Sequence, residues 1–309
     1  MTEKNSFGDY KSGFVAIVGK PNVGKSTLMN KLLRQKVAAV SVKPQTTRKR
    51  QLGILTDEKA QIIFVDTPGL HKPDYKLSAF INAEALAALH DAEVILFLVD
   101  GSQVPDAEDE RLAAEIASVK SDRPVIIALN KSDLLSRAQK KAQADLYQAL
   151  VPRGDLIEIS GLNGVNLDKL IVMIVNALPH GPQYYPQDQV TDYYERDIAA
   201  DLIRAACLHY LEDEVPHSIA IRMDDYKERD EENTYIAATI FVERESHKGM
   251  VIGKGGEMLK KIGTMARLEI EAMSERKIYL ELRVKVEKNW RNNPEFLRRF
   301  GYAADGGVK

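Results

Sequence analysis

The sequence predicts an α/β domain, a mostly parallel sheet with helices on both faces, followed by a smaller α+β domain. Three observations carry this expectation. Over the first 178 residues short β-branched runs alternate with helical stretches, the pattern of parallel strands joined by crossover helices. The segment PHGPQYYPQDQ (179–189) then interrupts with three prolines and no apolar period, as an interdomain linker does. Beyond it the elements follow a different order. A chain of 309 residues has room for about two domains.

In the first part the runs FVAIV (14–18), QIIFV (61–65), EVILFLV (93–99), PVIIAL (124–129) and LIEIS (156–160) read as strands. Their continuous apolar character suits central strands covered on both faces. QLGILT (51–56) supplies one more, as an antiparallel hairpin with QIIFV. Helical stretches lie between them at 25–35, about 76–89, about 106–118, 136–149 and 166–178. After the linker come a long helix over about 193–213 and two strands, SIAIRMDDY (218–226) and TYIAATIFVE (234–243), with an acidic loop between them. A short helical stretch ending in VIGKGG, a second helix to about 273 and the strand KIYLELRVKVE (277–287) complete the unit. In that last strand Ile278, Leu280, Leu282, Val284 and Val286 alternate with polar residues, so one face should be packed and the other wet. The expected boundaries are a flexible N-terminus at 1–12, a first domain at 13–178, a linker at 179–191 and a second domain at 192–309 that includes a C-terminal helix.

Composition narrows the class. With 44% apolar and 28% charged residues the chain has the balance of a globular protein that is not disordered. The formal charge of −2 conceals an uneven distribution: residues 243–299 carry fourteen basic against nine acidic side chains, a modest pointer to a polyanion. Cys207, the one cysteine, excludes an intramolecular disulfide and a cysteine metal cluster, and its apolar helical setting suits a buried structural thiol. The N-terminal MTEKNSFGDYKSG has no apolar segment of a secretory signal, and runs such as VILFLV (94–99) are too short to span a bilayer. A cytoplasmic location is therefore expected, and a monomer is the default.

The stretch GKPNVGKS (19–26) follows a strand and opens a helix, the context that the Gly-x4-Gly-Lys-Ser phosphate loop requires. Backbone N–H groups of Gly19, Asn22, Val23, Gly24, Lys25, Ser26 and Thr27 can close around phosphates at the positive end of a helix. Lys25 should reach the β- and γ-phosphates, and the Ser26 hydroxyl should bind Mg²⁺. DTPG (66–69) ends the strand QIIFV, placing Asp66 near the metal and letting the Gly69 N–H sense a γ-phosphate. NKSD (130–133) ends the strand PVIIAL. The Asp133 carboxylate can accept two hydrogen bonds from the Watson–Crick edge of guanine, a donor pair that adenine lacks, so ATP should be rejected. Asn130 would brace the loops, Lys131 would lie over the base, and SGL (Ser160, Gly161, Leu162) would present a backbone N–H to the guanine carbonyl. A metabolic kinase is disfavoured by Asp133 and by the absence of any acceptor-pocket signature.

Together these motifs match the translation-factor-like GTPases. Within that class KPQTTR (43–48) resembles the switch that closes on Mg²⁺–GTP. Either Thr46 or Thr47 supplies the metal-binding hydroxyl, with Thr47, directly before the arginine, preferred. Where many GTPases carry a glutamine after the DxxG glycine, this chain has Leu70, which cannot orient water, so basal hydrolysis should be slow. Asn22 stands where some GTPases of this hydrophobic-substituted kind hold K⁺, which implies K⁺-stimulated turnover. His71 is expected to have no role as a base.

A second glycine loop, VIGKGGEMLKK (251–261), lacks the spacing of a nucleotide-cofactor loop. It fits Gly-x-x-Gly, Gly253 to Gly256, between two helices, the loop with which KH domains clamp about four nucleotides of single-stranded RNA or DNA. Gly255 and its neighbours admit the sugar–phosphate backbone, Lys254 adds a charge, and Val251 and Ile252 are expected to line the apolar side of the groove. The α-β-β-α-α-β order is that of a type II KH fold. Lys260, Lys261, Arg283, Lys285, Lys288 and Arg291 are expected to add phosphate contacts. The aromatics of the tail KNWRNNPEFLRRFGY (288–302) suit either base stacking or a helix docked on the sheet.

An α/β P-loop GTPase domain with KPQTTR and DTPGLH, joined to a C-terminal type II KH domain with VIGKGG, closely resembles the Era family from about Gly13 to Tyr302. The resemblance implies a ribosome-assembly GTPase that uses Mg²⁺ and GTP and binds the 3′ end of small-subunit rRNA on the small ribosomal subunit. It also implies peripheral contact with the inner face of the membrane in some bacteria, for which no anchor is visible. Gly161 departs from the family's usual alanine; a backbone contact should survive that change. The alternative is a GTPase whose C-terminal domain recruits a protein or membrane partner.

Overall fold

Nearly uninterrupted apolar runs determine the first sheet, because strands buried on both faces need apolar side chains in every register. The computed structural model describes residues 8–40, 48, 50–67, 75–119 and 123–302. Its strands β1 (Lys11–Val18), β2 (Gln51–Thr56), β3 (Ala60–Asp66), β4 (Val94–Asp100), β5 (Val125–Asn130) and β6 (Asp155–Glu158) form one sheet in the order β2-β3-β1-β4-β5-β6. Every pair is parallel except the β2–β3 hairpin, as the sequence suggested. The order reverses beside β1, and at such a switch point the loops after neighbouring strands diverge and leave a crevice. Asp66, Asp100 and Asn130 close β3, β4 and β5 at that same edge.

The helices in this stretch of chain are α1 (Lys25–Leu33), α2 (Lys76–Asp91), of which the residues up to Ile81 count with the second unit, α3 (Ala107–Ser118), α4 (Arg137–Leu150) and α5 (Leu167–Ala177). Capping boxes start α3 (Asp106 with Asp109) and α4 (Ser136 with Gln139), each satisfying two backbone donors that the first turn leaves open. One core cluster joins Phe97, Leu112, Ile116, Ile127 and Tyr147. The proline-rich segment read as a linker is tied to the free edge of β2. The Ile54 N–H donates to Val190 O at 2.7 Å and the Thr191 hydroxyl to Leu52 O at 2.7 Å. By backbone proximity this first unit comprises Met1–Val37, Lys49–His71 and Asn82–Asp192.

The second unit gathers Ala38–Arg48, Lys72–Ile81 and Tyr193–Lys309. Its elements run α6 (Glu195–Tyr210), β7 (Ala220–Glu228), β8 (Asn233–Val242), α7 (Glu245–Ile252), α8 (Glu257–Ser274), β9 (Lys277–Val286) and α9 (Pro294–Arg299). The sheet order is β7-β8-β9, antiparallel then parallel, the parallel step being made possible by the α7–α8 crossover. Ile203, Cys207, Ile240, Ile262, Ala266 and Ile270 are among its buried core. The tail docks: Trp290, Phe296, Leu297 and Tyr302 pack with Phe241, Leu77 and Ile81, and the Trp290 indole N–H donates to Ser218 O at 2.8 Å. Buried rings there hold the fold and are withdrawn from base stacking.

The alternation expected in β9 holds: Ile278 is buried and Leu280, Leu282, Val284 and Val286 pack half-buried against the core, while Lys277, Tyr279, Arg283 and Lys285 are exposed. An edge strand has a neighbour on one side alone, and α8 covers its apolar row incompletely.

Candidate nucleotide site and nucleic-acid groove

In the first unit the loop 19–24 leaves β1 and runs into α1, whose N-cap, Gly24, has φ 103° and contributes no side-chain cap. The first-turn N–H groups are thereby left to a ligand. A Cβ at Gly19 would lie 2.3 Å from Leu98 O, and one at Gly24 2.6 Å from the Asn130 side-chain nitrogen, so both positions demand glycine. Val23 is fully buried and Asn22, exposed, has φ 65°. Thr27 is half-buried in the first turn of α1. The Lys25 ammonium donates to Gly19 O at 2.7 Å and Lys20 O at 3.0 Å. Burial pushes it down to about 8, although Asp66 and Glu108 pull the other way.

The Ser26 hydroxyl donates to Asp66 Oδ2 at 3.0 Å, with Asp66 buried at the end of β3. A hydroxyl and a carboxylate at this spacing, beside a glycine cradle, are the hard oxygen donors that Mg²⁺ selects, so the residues fit that ion. Thr46, Thr47, Gly69, Leu70 and His71 lie outside the described residues. Arg48 is described as part of the second unit: its guanidinium is buried, donates to Ile219 O at 2.6 Å and His217 O at 3.3 Å, and burial pushes it down to about 10.

Asn130 braces the loops, as expected. Its side-chain N–H₂ donates to Val23 O at 2.7 Å, and its oxygen accepts from the Gly161 N–H at 2.8 Å. The latter bond engages the N–H expected to meet guanine. A Cβ at Gly161 would make ordinary contacts of 3.5 Å or more, so the glycine is not sterically required. Lys131 has φ 59° and donates to Asp100 Oδ2 at 2.6 Å. Burial opposes ionisation of Asp100, but Lys131 and Ser102 hold its carboxyl below the usual carboxylate range. Asp133 is exposed, Ser160 is buried with its hydroxyl accepting from the Asn163 N–H, and Leu162 is 70% exposed. These groups converge from three loops on one sheet edge. A carboxylate open to solvent beside a phosphate cradle can select a purine by its donor edge.

In the second unit Gly253, Gly255 and Gly256 all have positive φ (74°, 61°, 84°), and α8 starts directly behind them. Lys254, Lys260 and Lys261 are exposed. Beside the loop runs a groove of about 360 Å³ lined by Gly256, Leu259, Lys260, Gly263, Thr264, Arg267, Leu280 and Leu282. One edge is a single face of α8 and the floor is the half-open row of β9. Three expectations change here. Val251 is fully buried in the core, while Ile252 is half-buried, so the apolar floor is Leu280 and Leu282 instead. Arg283 and Lys285 alternate with Leu282 and Val284, so they stand on the opposite face of the sheet, where Arg283 pairs with Glu281. Arg291 is held by Glu243 at 2.5 Å over the Tyr75 ring, while Lys288 is exposed. Sequence reading missed Gly263, Thr264 and Arg267, although their spacing from Gly256 along α8 is the helical repeat that would have found them.

Comparison with known proteins finds a counterpart for each unit. A family model described as a 50S ribosome-binding GTPase matches residues 14–131, and a KH domain model matches 214–291. GTPase Era of Carboxydothermus hydrogenoformans is 46% identical over 294 residues, covering 95% of this chain and 98% of that protein. The crystal structure of Era with MgGDPNP and nucleotides 1506–1542 of 16S ribosomal RNA superposes with a TM-score of 0.88 at 40% identity, covering 95% of this chain and 99% of the other. A variant of Aquifex aeolicus Era bound to GDP·AlF4⁻ gives the same figures. With its phosphate loop, its NKSD loop and its KH unit accounted for along nearly the whole length, this chain belongs to the Era family of GTPases.

Proposed function

We propose that the chain is a GTP-driven switch that binds the 3′ end of 16S rRNA through its KH unit and acts in assembly of the small ribosomal subunit. The observation that carries this reading is the groove beside the Gly253–Gly256 loop. Glycines and helix N–H groups face a backbone, Lys254, Lys260 and Arg267 neutralise phosphates, and Leu280 and Leu282 receive bases. The relative solved with that rRNA segment supports the choice of ligand.

In the nucleotide site Lys25 would hold the β- and γ-phosphates, the loop N–H groups would wrap them, and Asp133 would read guanine. Ser26, Asp66 and Thr47 would hold Mg²⁺, which neutralises charge on the phosphates. Gly69 would sense the γ-phosphate. Leu70 leaves water unoriented, so turnover is slow until a partner acts, and Asn22 helps hold K⁺. Equal rates of hydrolysis in K⁺ and Na⁺ would remove that last role. The reading places the chain in the cytoplasm as a monomer, with peripheral contact at the inner membrane face. Among the described residues no helix is long and apolar enough to cross a membrane.

The test is the affinity for a single-stranded RNA matching the 16S 3′ tail, measured with the GTP analogue and with GDP. Tight binding with the analogue alone is expected. Equal binding would keep the RNA site and remove the switch; no binding in either form would favour a C-terminal unit that recruits a protein or membrane.

A further inference from the structure

The phosphate-loop residue Lys20 does not face the crevice. Its ammonium donates to Asp106 Oδ2 and Asp109 Oδ2, both at 2.8 Å, and the residue is only 6% exposed. These two carboxylates are the capping box of α3, so Lys20 bolts the loop to the start of a helix 86 residues further on. Asp109 is fully buried, and its Oδ2 also accepts from the Asp106 N–H at 3.2 Å and stands 3.5 Å from the Tyr147 hydroxyl. The other end of the same residue completes the arrangement: Lys20 O, with Gly19 O, holds the Lys25 ammonium.

Two physical consequences follow. A loop that must present N–H groups to a phosphate loses affinity when it can adopt other conformations, and a two-carboxylate anchor suppresses them. Asp106 and Asp109 would otherwise stand as negative charge close to a site for anionic phosphates. Glu108 is the third acid of that turn, and its influence reaches Lys25. Burial opposes the Lys20 charge, but the two carboxylates more than offset it, so Lys20 stays cationic and halves their net negative charge.

We propose that Lys20 is a positioning residue for nucleotide binding, acting through its anchor on Asp106 and Asp109 to preorganise and electrostatically shield the phosphate loop. This rests on the GTPase reading of the site. The loop wraps the phosphates of GDP and GTP alike, so Lys20 contributes to ground and transition states equally and acts on affinity more than on turnover.

The test is Lys20→Met, with affinities for fluorescent GDP and GTP analogues and steady-state hydrolysis. Kd for both nucleotides and KM should rise about tenfold, with kcat within threefold of the parent. Lys20→Arg should stay within threefold in Kd. Lys20→Met with Asp109→Asn, which leaves no uncompensated buried carboxylate, should recover part of the loss yet remain at least threefold weaker than the parent. The same pair carries the readout if Lys20→Met alone does not fold. A Kd within twofold of the parent in these methionine variants would overturn the proposal, as would a fall in kcat at unchanged KM. Failure of the parent chain to bind guanine nucleotide would instead refute the reading of the site itself.

Discussion

At Lys25 the nucleotide site keeps a cation that its burial disfavours, and the pH dependence has a definite sign. Burial pushes the folded ammonium down to about 8 from its ordinary 10.5. Below pH 8 both folded and unfolded chains carry the proton and the cost of the buried charge is present in full. Between 8 and 10.5 the folded state sheds the proton first, so this group's contribution to stability of the nucleotide-free protein rises with pH. Binding of phosphates runs the other way, since it needs the cation. Between pH 7 and 9 nucleotide affinity should fall about tenfold, because the proton must be taken up on binding. Titration calorimetry in buffers of different ionisation enthalpy checks this; affinity flat across the window would refute it. Cys207 makes a second case. It is fully buried in α6, and burial pushes its thiol up to about 12. In native protein it should therefore react with a thiol reagent no faster than the unit opens, and at once in denaturant. The buried setting was legible in the sequence from the helical apolar period around Cys207.

The α7–α8 turn shows how one element assigns different tasks to similar residues. A Cβ at Gly253 would lie 2.7 Å from Met258 Cβ and 2.8 Å from its backbone nitrogen, whereas one at Gly255 would meet nothing within 4 Å. Both have positive φ. Gly255→Ala should cost about 1–2 kcal/mol of conformational strain, and Gly253→Ala should cost more by about 1–3 kcal/mol from the clash as well. Chemical denaturation of the two variants reads the order; equal costs would show that the close approach relaxes freely. The Gly-x-x-Gly spacing was plain in the sequence. Which of its flanks faced the groove was not, because Val251 and Leu282 are both apolar and only the packing of α7 and α8 on the sheet determines which one is covered.

Over the whole molecule a net charge of −2 gives no hint of polyanion binding, so any RNA affinity must come from a local field. Lys260 and Arg267 line the groove, Lys254 belongs to the adjoining Gly253–Gly256 loop and Lys261 is the exposed neighbour of Lys260 on α8, a set of four. Four phosphate contacts on a single strand predict a slope near −3 in log K against log salt, or about a fiftyfold loss between 50 and 200 mM. Fluorescence anisotropy with the GTP analogue bound would measure it. Replacing Arg283 and Lys285, on the other face of the sheet, should leave that slope unchanged, and a clear reduction would return those residues to the groove. The described residues hold no group of three or more His, Cys, Asp or Glu suited to a metal. The proposed Mg²⁺ site uses the hydroxyls of Ser26 and Thr47, the Asp66 carboxylate and the phosphates themselves.

Much of this protein is written in local spacing. The strand–helix alternation, the order α-β-β-α-α-β, the phosphate loop and the NKSD loop are short-range patterns, and backbone sterics and amphipathic period make each readable within a dozen residues. The family follows from the same motifs. Tertiary structure alone decided what depends on distant parts meeting. The bond between Asn130 and Val23 spans 107 positions and the Lys20 anchor 86, and no period or composition records such a pair. It also decided that Trp290 is core, that Arg283 and Lys285 turn away from the groove, and that the apolar row of β9 stays half-open. The physical reason is the same each time. Alternation tells that two sets of side chains lie on opposite faces, and only the elements that pack against the strand determine which face is covered.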